Sequence, residues 1–496
     1  MSTLSSKRFM IFLLAFSVMA GLFLYRYAGK DSLWVDELCT VSSVRSGLSF
    51  SDTVNIYATR DNQSPLMPFI AYFWYRAVPH TEQNLRLLGI LFAVLASMIV
   101  GITGKKLYGL RFGVFAFMFT ICNYTVLEAA ALEFRPYNLL LLVCALNYCC
   151  YLERLRRENW FTVILYGLTM GLMPYTHYVS VLFCAGLFLA DCLMVAKGRA
   201  GFRVVLSYVL GALIFSPWAY VLLTRFDTNK FTAFWPKVPT LLSIAKLGKY
   251  LTGAGCSLSV MFLGAVLGFF CVIRNLYAER KEPSVESAFM SAGIFASAFM
   301  VLVVFVYSAF INPKGSCFVE RYFLPTMPFV ALTSAMGADF LYDSMRTVFA
   351  RRAKLLFAVM FLMIAAASLG KTAKNDVHHE PYREAIGLIR RLEAGYTGNS
   401  AIVTTDNAYA YEGWREMYLA SDDEFTVYPI AGENTHDELK AHMYDKIYFM
   451  FMHTKPNRRA ETLKWLHEHY DFGEQENYIS GGKEEDLKLQ VLELRK

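Results

Sequence analysis

Asp36 and Glu37 stand side by side directly after the first apolar run of the chain. Two adjacent carboxylates next to lipid are costly, so they are solvated, paired or catalytic. Three more polar clusters lie at the ends of later apolar runs: Glu133-Phe134-Arg135-Pro136-Tyr137, Tyr175-Thr176-His177-Tyr178, and Lys314 with Glu320-Arg321-Tyr322. Carboxylates and fixed cations at one membrane face suit the attack of a hydroxyl on a carbon that bears a phosphate leaving group. A general base takes the hydroxyl proton, and Arg or Lys stabilises the departing phosphate. The candidates for proton work are Asp36, Glu37 and Glu133; Arg135, Tyr137, His177, Lys314 and Arg321 are candidates for holding substrate. Plainer readings stand beside these. The Asp36-Glu37 pair can cap or solvate a helix end, and Glu133 with Arg135 can form a local ion pair. His177 can be a hydrogen-bonded interfacial residue, while Lys314 and Arg321 can snorkel to headgroups.

The elements that hold these residues follow from composition. The chain has 496 residues, 55% hydrophobic, 16% aromatic and 18% charged, which is too apolar for an ordinary soluble domain. Its net charge of +7 is spread in short clusters between apolar runs, a pattern of membrane topology and not of a nucleic-acid face. Ten cysteines show no C-x-x-C pair and no zinc spacing, and they read as small core residues.

Runs near 10–25, 86–103, 112–128, 136–152, 160–177, 179–196, 204–223, 257–273, 288–310, 323–342 and 355–370 are long enough to span, giving about eleven helices. Lys105-Lys106, Arg154 to Arg157, Lys197 to Arg203, Arg274 to Lys281 and Arg346 to Lys354 fall on the side shared with Lys7-Arg8. The positive-inside rule makes that side cytoplasmic. The expected protein is a polytopic α-helical membrane protein with its N-terminus in and C-terminus out: a membrane domain over 1–370 and an extracytoplasmic α/β domain over 371–496. The first outer loop, about 28–85, carries Asp36-Glu37 and two apolar-aromatic stretches, Ser51–Thr59 and Pro65–Val78, the second expected to lie along the membrane surface. From Pro381 on, alternating helix-like and strand-like segments predict a small α/β module. No Gly-rich phosphate loop or nucleophile motif stands in it.

Ser32–Leu38, Gln63-Ser64-Pro65-Leu66, Leu85-Arg86-Leu87, Glu133–Tyr137 and Glu320-Arg321-Tyr322-Phe323-Leu324-Pro325 together resemble the polytopic GT-C glycosyltransferases, covering about 1–340 in order and spacing. The nearest likeness is to glycosyltransferase family 39, with the protein O-mannosyltransferases, the aminoarabinose transferase ArnT and the rhizobial Rgt enzymes. Such enzymes move a sugar from a polyprenyl-phosphate carrier to a glycan, lipid or protein acceptor at the outer face of the membrane. The resemblance makes Asp36 the catalytic acidic residue, Glu37 its companion, and places Glu133 with Arg135 in the second outer loop of the site. Where family members often read His-Pro-Pro-Leu, this chain has Gln63-Ser64-Pro65-Leu66, without the His that could meet a metal. A divalent metal therefore stays open, and no other cofactor is expected.

The leading expectation is a multi-pass plasma-membrane glycosyltransferase whose site faces the periplasm or exterior, with Asp36 as general base. The other class weighed is a transporter or flippase of lipid-linked sugars. Transporters tend to carry ionisable groups near the middle of the membrane, whereas here the apolar runs hold few, such as Asp191 and Asp339. The tail beyond Lys371 and the loop 224–256 are expected to help choose the acceptor.

Overall fold

The computed structural model describes residues 3–494 apart from 60–62, 199, 226–235, 254–255, 350, 375–379, 405–407, 420–425, 430–443, 453–459, 462–463, 465–467, 469–471 and 479–488. It is mostly helical. In chain order the helices are α1 (Thr3–Tyr27), α2 (Val35–Val44), α3 (Phe50–Thr59), α4 (Leu66–Ala77), α5 (Glu82–Tyr108), α6 (Leu110–Ile121) and α7 (Tyr124–Leu132). There follow α8 (Tyr137–Arg156), α9 (Trp160–Thr176), α10 (Ser180–Ala196), α11 (Arg203–Arg225), α12 (Leu241–Thr252), α13 (Cys256–Ala278) and α14 (Val285–Val306). The bundle ends with α15 (Met327–Phe349) and α16 (Arg351–Lys374), and the C-terminal part holds α17 (Tyr382–Glu393) and α18 (Ala408–Tyr418).

A helix covers each apolar run. Among the described residues seven helices, α1, α5, α8, α11, α13, α14 and α16, are long and apolar enough to cross a membrane. Large apolar side chains such as Leu22, Leu213, Leu302 and Leu362 are exposed on four of them, as a lipid solvent would allow. The run expected as one helix over 112–128 is broken into α6 and α7. The Asn123 side chain accepts from the backbone N–H groups of Thr125 and Val126, capping a new helix within an apolar stretch. Helices α5 and α6 pack closely because glycines line their crossing: a Cβ at Gly113 would fall 2.7 Å from the Gly101 carbonyl oxygen.

Residues 28–85, expected as an outer loop with surface helices, contain α2, α3 and α4, so Asp36 and Glu37 lie on the first turn of a helix. The N–H of Trp34 donates to Glu37 Oε2 at 3.2 Å, which closes that turn. Pro65–Val78, expected along the membrane surface, forms α4.

The C-terminal strands are β1 (Ser400–Thr404), β2 (Thr426–Pro429), β3 (Lys446–Met450), β4 (Phe472–Tyr478) and β5 (Leu489–Leu494), in the order β2-β1-β3-β5-β4. β1 runs parallel to β2 and β3, and β5 is antiparallel to β3 and β4. Helix α17 buries Tyr382, Ala385, Ile386 and Ile389 along one stripe, the pattern of a helix laid on a core. The sequence reading missed β4, and its expected helices near 436–443 and 458–470 lie wholly or largely outside the described residues.

Candidate active site

Asp36 is the centre of the cluster. Its Oδ2 lies 3.3 Å from Arg135 Nη2 and 3.7 Å from Arg321 Nη2, while 30% of the side chain stays exposed. Arg135, only 6% exposed, also donates from Nη1 to the Asp36 carbonyl at 3.0 Å. Two guanidinium groups therefore hold one side of a carboxylate whose other side is accessible. The Arg321 guanidinium sits 5.0 Å from the centre of the Tyr137 ring and 5.7 Å from that of Trp34. These arginines descend from two distant segments, the α7–α8 turn and the 3₁₀ segment Glu320–Thr326.

Glu37 turns into the protein. It is fully buried, and each oxygen accepts twice: Oε1 from Arg86 Nε and from the Phe134 N–H, Oε2 from Arg86 Nη2 and the Trp34 N–H. A buried carboxylate so engaged is an anchor for its helix more than a group open to substrate. Arg86, the other half of this pair, stood in the sequence only within the Leu85-Arg86-Leu87 likeness, with no role assigned to it. The available signal was a charge placed within an apolar run.

Glu133 follows the last residue of α7. Its Oε2 is buried without a hydrogen-bond partner, and burial lifts its carboxyl to about 7 even though Arg321 and Arg135 pull it down. His177 follows α9 and stacks obliquely on Tyr322 with ring centres 4.5 Å apart and, more loosely, meets Tyr137 at 6.3 Å. Burial, with Arg321 and Arg135 nearby, depresses its imidazole to about 3, so it is neutral at working pH, and its Nδ1 has no partner. Arg135 and Arg321 are held charged: burial opposes their charge, but Asp36 in the first case and Tyr137 with Glu133 in the second outweigh it. Each also leaves its Nε buried and unpaired.

The structure thus gathers Asp36, Glu133, Arg135, Tyr137, His177 and Arg321. Lys314 stands apart on the exposed 3₁₀ turn Pro313–Gly315, with no ion pair to the cluster among the described residues. Among those residues no three His, Cys, Asp or Glu side chains come together to hold a metal ion. The positive charge facing Asp36 comes from the two guanidinium groups, so the donor set does not fit a divalent metal.

Four buried polar atoms without partners, on Glu133, Arg135, His177 and Arg321, surround a half-open carboxylate. Folded proteins satisfy nearly all such atoms, and exceptions concentrate where a ligand completes the bonding.

Residues 62–223 match the family model of dolichyl-phosphate-mannose-protein mannosyltransferases. No curated protein matches the chain. The structure is similar to ArnT from Cupriavidus metallidurans bound to undecaprenyl phosphate, with 11% identity, 97% of each chain covered and a TM-score of 0.58. It is similar to the apo form of that protein with 11% identity, 98% of each chain covered and a TM-score of 0.57. The archaeal oligosaccharyltransferase AglB from Archaeoglobus fulgidus, in complex with an inhibitory peptide and a dolichol-phosphate, aligns at 11% identity over 88% of this chain and 69% of that one, with a TM-score of 0.49. The chain thus has the fold of the ArnT structures, and residues 62–223 match the mannosyltransferase family model.

Proposed function

We propose that the protein transfers a sugar from a polyprenyl-phosphate carrier to the hydroxyl of a glycan, lipid or protein acceptor at the outer face of the plasma membrane. The observation that carries this reading is the half-exposed Asp36 carboxylate set against Arg135 and Arg321. In the reaction the acceptor O–H gives its proton to Asp36 and the oxygen bonds to the anomeric carbon. The bond from that carbon to the phosphate oxygen breaks, its electron pair leaving with the phosphate, which Arg321 and Arg135 stabilise. One base and one leaving group make a single displacement with inversion.

Glu37 holds α2 in place, and Glu133, neutral below about pH 7, donates a hydrogen bond to the phosphate or the sugar. His177 and Tyr137 shape the apolar side of the sugar pocket. About eleven spans with the N-terminus inside put this cluster and the C-terminal domain outside. The tail and the loop 224–256 help choose the acceptor. Support for lipid phosphate comes from the fold shared with a protein crystallised with undecaprenyl phosphate.

The test is release of polyprenyl phosphate by purified protein given a panel of polyprenyl-phosphate sugars and a membrane extract as acceptor. Wild type should release it and equally folded Asp36→Asn should not. Release by neither, with any donor, would remove Asp36 as base and return the lipid-linked sugar transporter as the better reading.

A further inference from the structure

The chain segment leading into α2 is read by two arginines from opposite ends of the sequence. Five consecutive carbonyls, Ala28 to Ser32, each accept from a guanidinium group. Arg86 of α5 donates to Ala28 at 2.7 Å, Asp31 at 2.9 Å and Ser32 at 3.0 Å. Arg383 of α17 donates to Gly29 at 3.1 Å and Lys30 at 2.9 Å. The C-terminal domain supplies further groups just past these carbonyls. The Leu33 N–H donates to the buried Tyr418 hydroxyl at 2.8 Å, and that hydroxyl donates to Glu82 at 3.2 Å. The Val35 N–H donates to Glu380 Oε2 at 3.3 Å, and Ser32 Oγ donates to the Glu380 carbonyl at 2.7 Å. The far end of α2 is tied as well: the Ser46 N–H donates to Glu416 at 3.0 Å, and Arg45 pairs with Glu412 at 2.8 Å. Between the two ends α18 lies so close that a Cβ at Gly413 would fall 2.1 Å from the Leu38 carbonyl oxygen.

We infer that the C-terminal domain completes the active site by fixing α2, with Arg383 and Tyr418 as positioning residues for Asp36. The inference rests on the reading of Asp36 as the base. Segment 28–35 has no repeating backbone hydrogen bonds of its own to set its path, so its carbonyls and N–H groups take partners from elsewhere, and Arg383, Tyr418 and Glu380 are among them. Arginine suits the task because its rigid planar fork presents donors to two neighbouring carbonyls in a fixed geometry. Asp36 is the residue next to Val35, so a displacement of the segment moves the carboxylate relative to Arg135 and Arg321. Misplacing a reacting group by about 1 Å costs on the order of 100-fold in rate.

The experiment uses the full-length protein in lipid nanodiscs, with Arg383→Gln, Tyr418→Phe and, as control, Glu393→Gln. Glu393 receives Ser400 Oγ at 2.9 Å and the Tyr448 hydroxyl inside the C-terminal domain, away from α2. Two quantities are read: hydrogen exchange of the peptide covering 28–44, and kcat with KM for the donor sugar lipid. The expected result for Arg383→Gln and Tyr418→Phe is faster exchange of that peptide and a fall in kcat of about 10- to 100-fold with donor KM unchanged. Glu393→Gln should lower thermal stability and leave kcat per folded molecule as in wild type. Arg383→Gln keeps the test open if Tyr418→Phe lowers the folded yield, because Arg383 is partly exposed. Unchanged exchange in both variants, or a loss of kcat in Glu393→Gln as large as theirs, overturns the inference. Exchange needs no substrate: if wild type transfers no sugar, the base assignment fails while the clamp on α2 is still measured.

Discussion

Helix α8 has an arginine–carboxylate cluster near each end, and the two differ in what they leave unfinished. Arg135, just before the helix, meets Asp36; Arg154, nineteen residues on and about 29 Å away at the usual helical rise, meets Asp191. At the Arg154 end both side chains are 1% exposed. Asp191 accepts from Arg154 at 2.6 Å, from Tyr208 at 2.6 Å and from Tyr151 at 3.1 Å, and the rings of Tyr151 and Tyr166 flank the guanidinium group. At the Arg135 end the carboxylate is 30% exposed and four neighbouring polar atoms lack partners, whereas at the other end the Arg154 Nε lacks one. Asp339, the other acid noted in an apolar run, pairs with Arg111. The Arg154–Asp191 pair is thus a closed structural pair, which weighs against a transport path built on it. The lesson is that a buried charge indicates function through what remains unpaired around it, not through burial alone.

Exchanging the roles in experiment gives the largest contrast. Asp36→Asn should lower sugar transfer by about 10²- to 10⁴-fold with an unchanged melting temperature. Asp191→Asn should cost about 3–5 kcal/mol of stability, seen as a lower melting temperature, while turnover per folded molecule stays within about twofold. If Asp191→Asn also abolished turnover without loss of fold, the division between the two clusters would fail.

The next effect is on the leaving group. Arg321→Gln removes a charge-assisted contact to phosphate, and kcat/KM for the donor should fall about 10- to 100-fold. An equal fall with a donor analogue lacking the phosphate charge would sink that role.

Glu133 provides a pH signature. Its folded-state carboxyl is raised from 4.5 to about 7, so the folded protein holds this proton more tightly than the unfolded chain does. The stability it contributes is complete below pH 4.5 and is lost as pH rises through about 7. Glu133→Gln should flatten the decline of melting temperature across that window. A slope identical to that of wild type would remove Glu133 as its source.

His177 should give the smallest effect. Already neutral above about pH 4, it contributes shape and one hydrogen-bonding nitrogen, so His177→Gln should change transfer by less than about threefold and leave the pH profile unmoved. A shifted profile near neutrality would assign it a proton.

Asp36, Arg135 and Arg321 were legible in the sequence because a charge at the end of an apolar run stands out against its surroundings. Glu37 was visible too, but its inward orientation was not, since that depends on Arg86, 49 residues away and inside an apolar run. The break at Asn123 was hidden because one capping amide does little to the hydropathy of the stretch around it. Strand β4 reads Phe-Gly-Glu-Gln-Glu-Asn-Tyr, with no β-branched residue; pairing with β5 overrides its weak propensity. The docking of α18 on α2 joins residues more than 370 positions apart, and no local pattern records it.

That docking bears on how the protein is made. Residues 28–46 leave the ribosome early, whereas Arg383 and Tyr418 emerge some 350 to 385 residues later. Through most of its synthesis the nascent chain therefore carries Asp36 on a segment without its partners from residues 380–418. If the clamp on α2 is required for transfer, chains cut short after α16 would insert without activity, because Arg383 and Tyr418 lie beyond the cut.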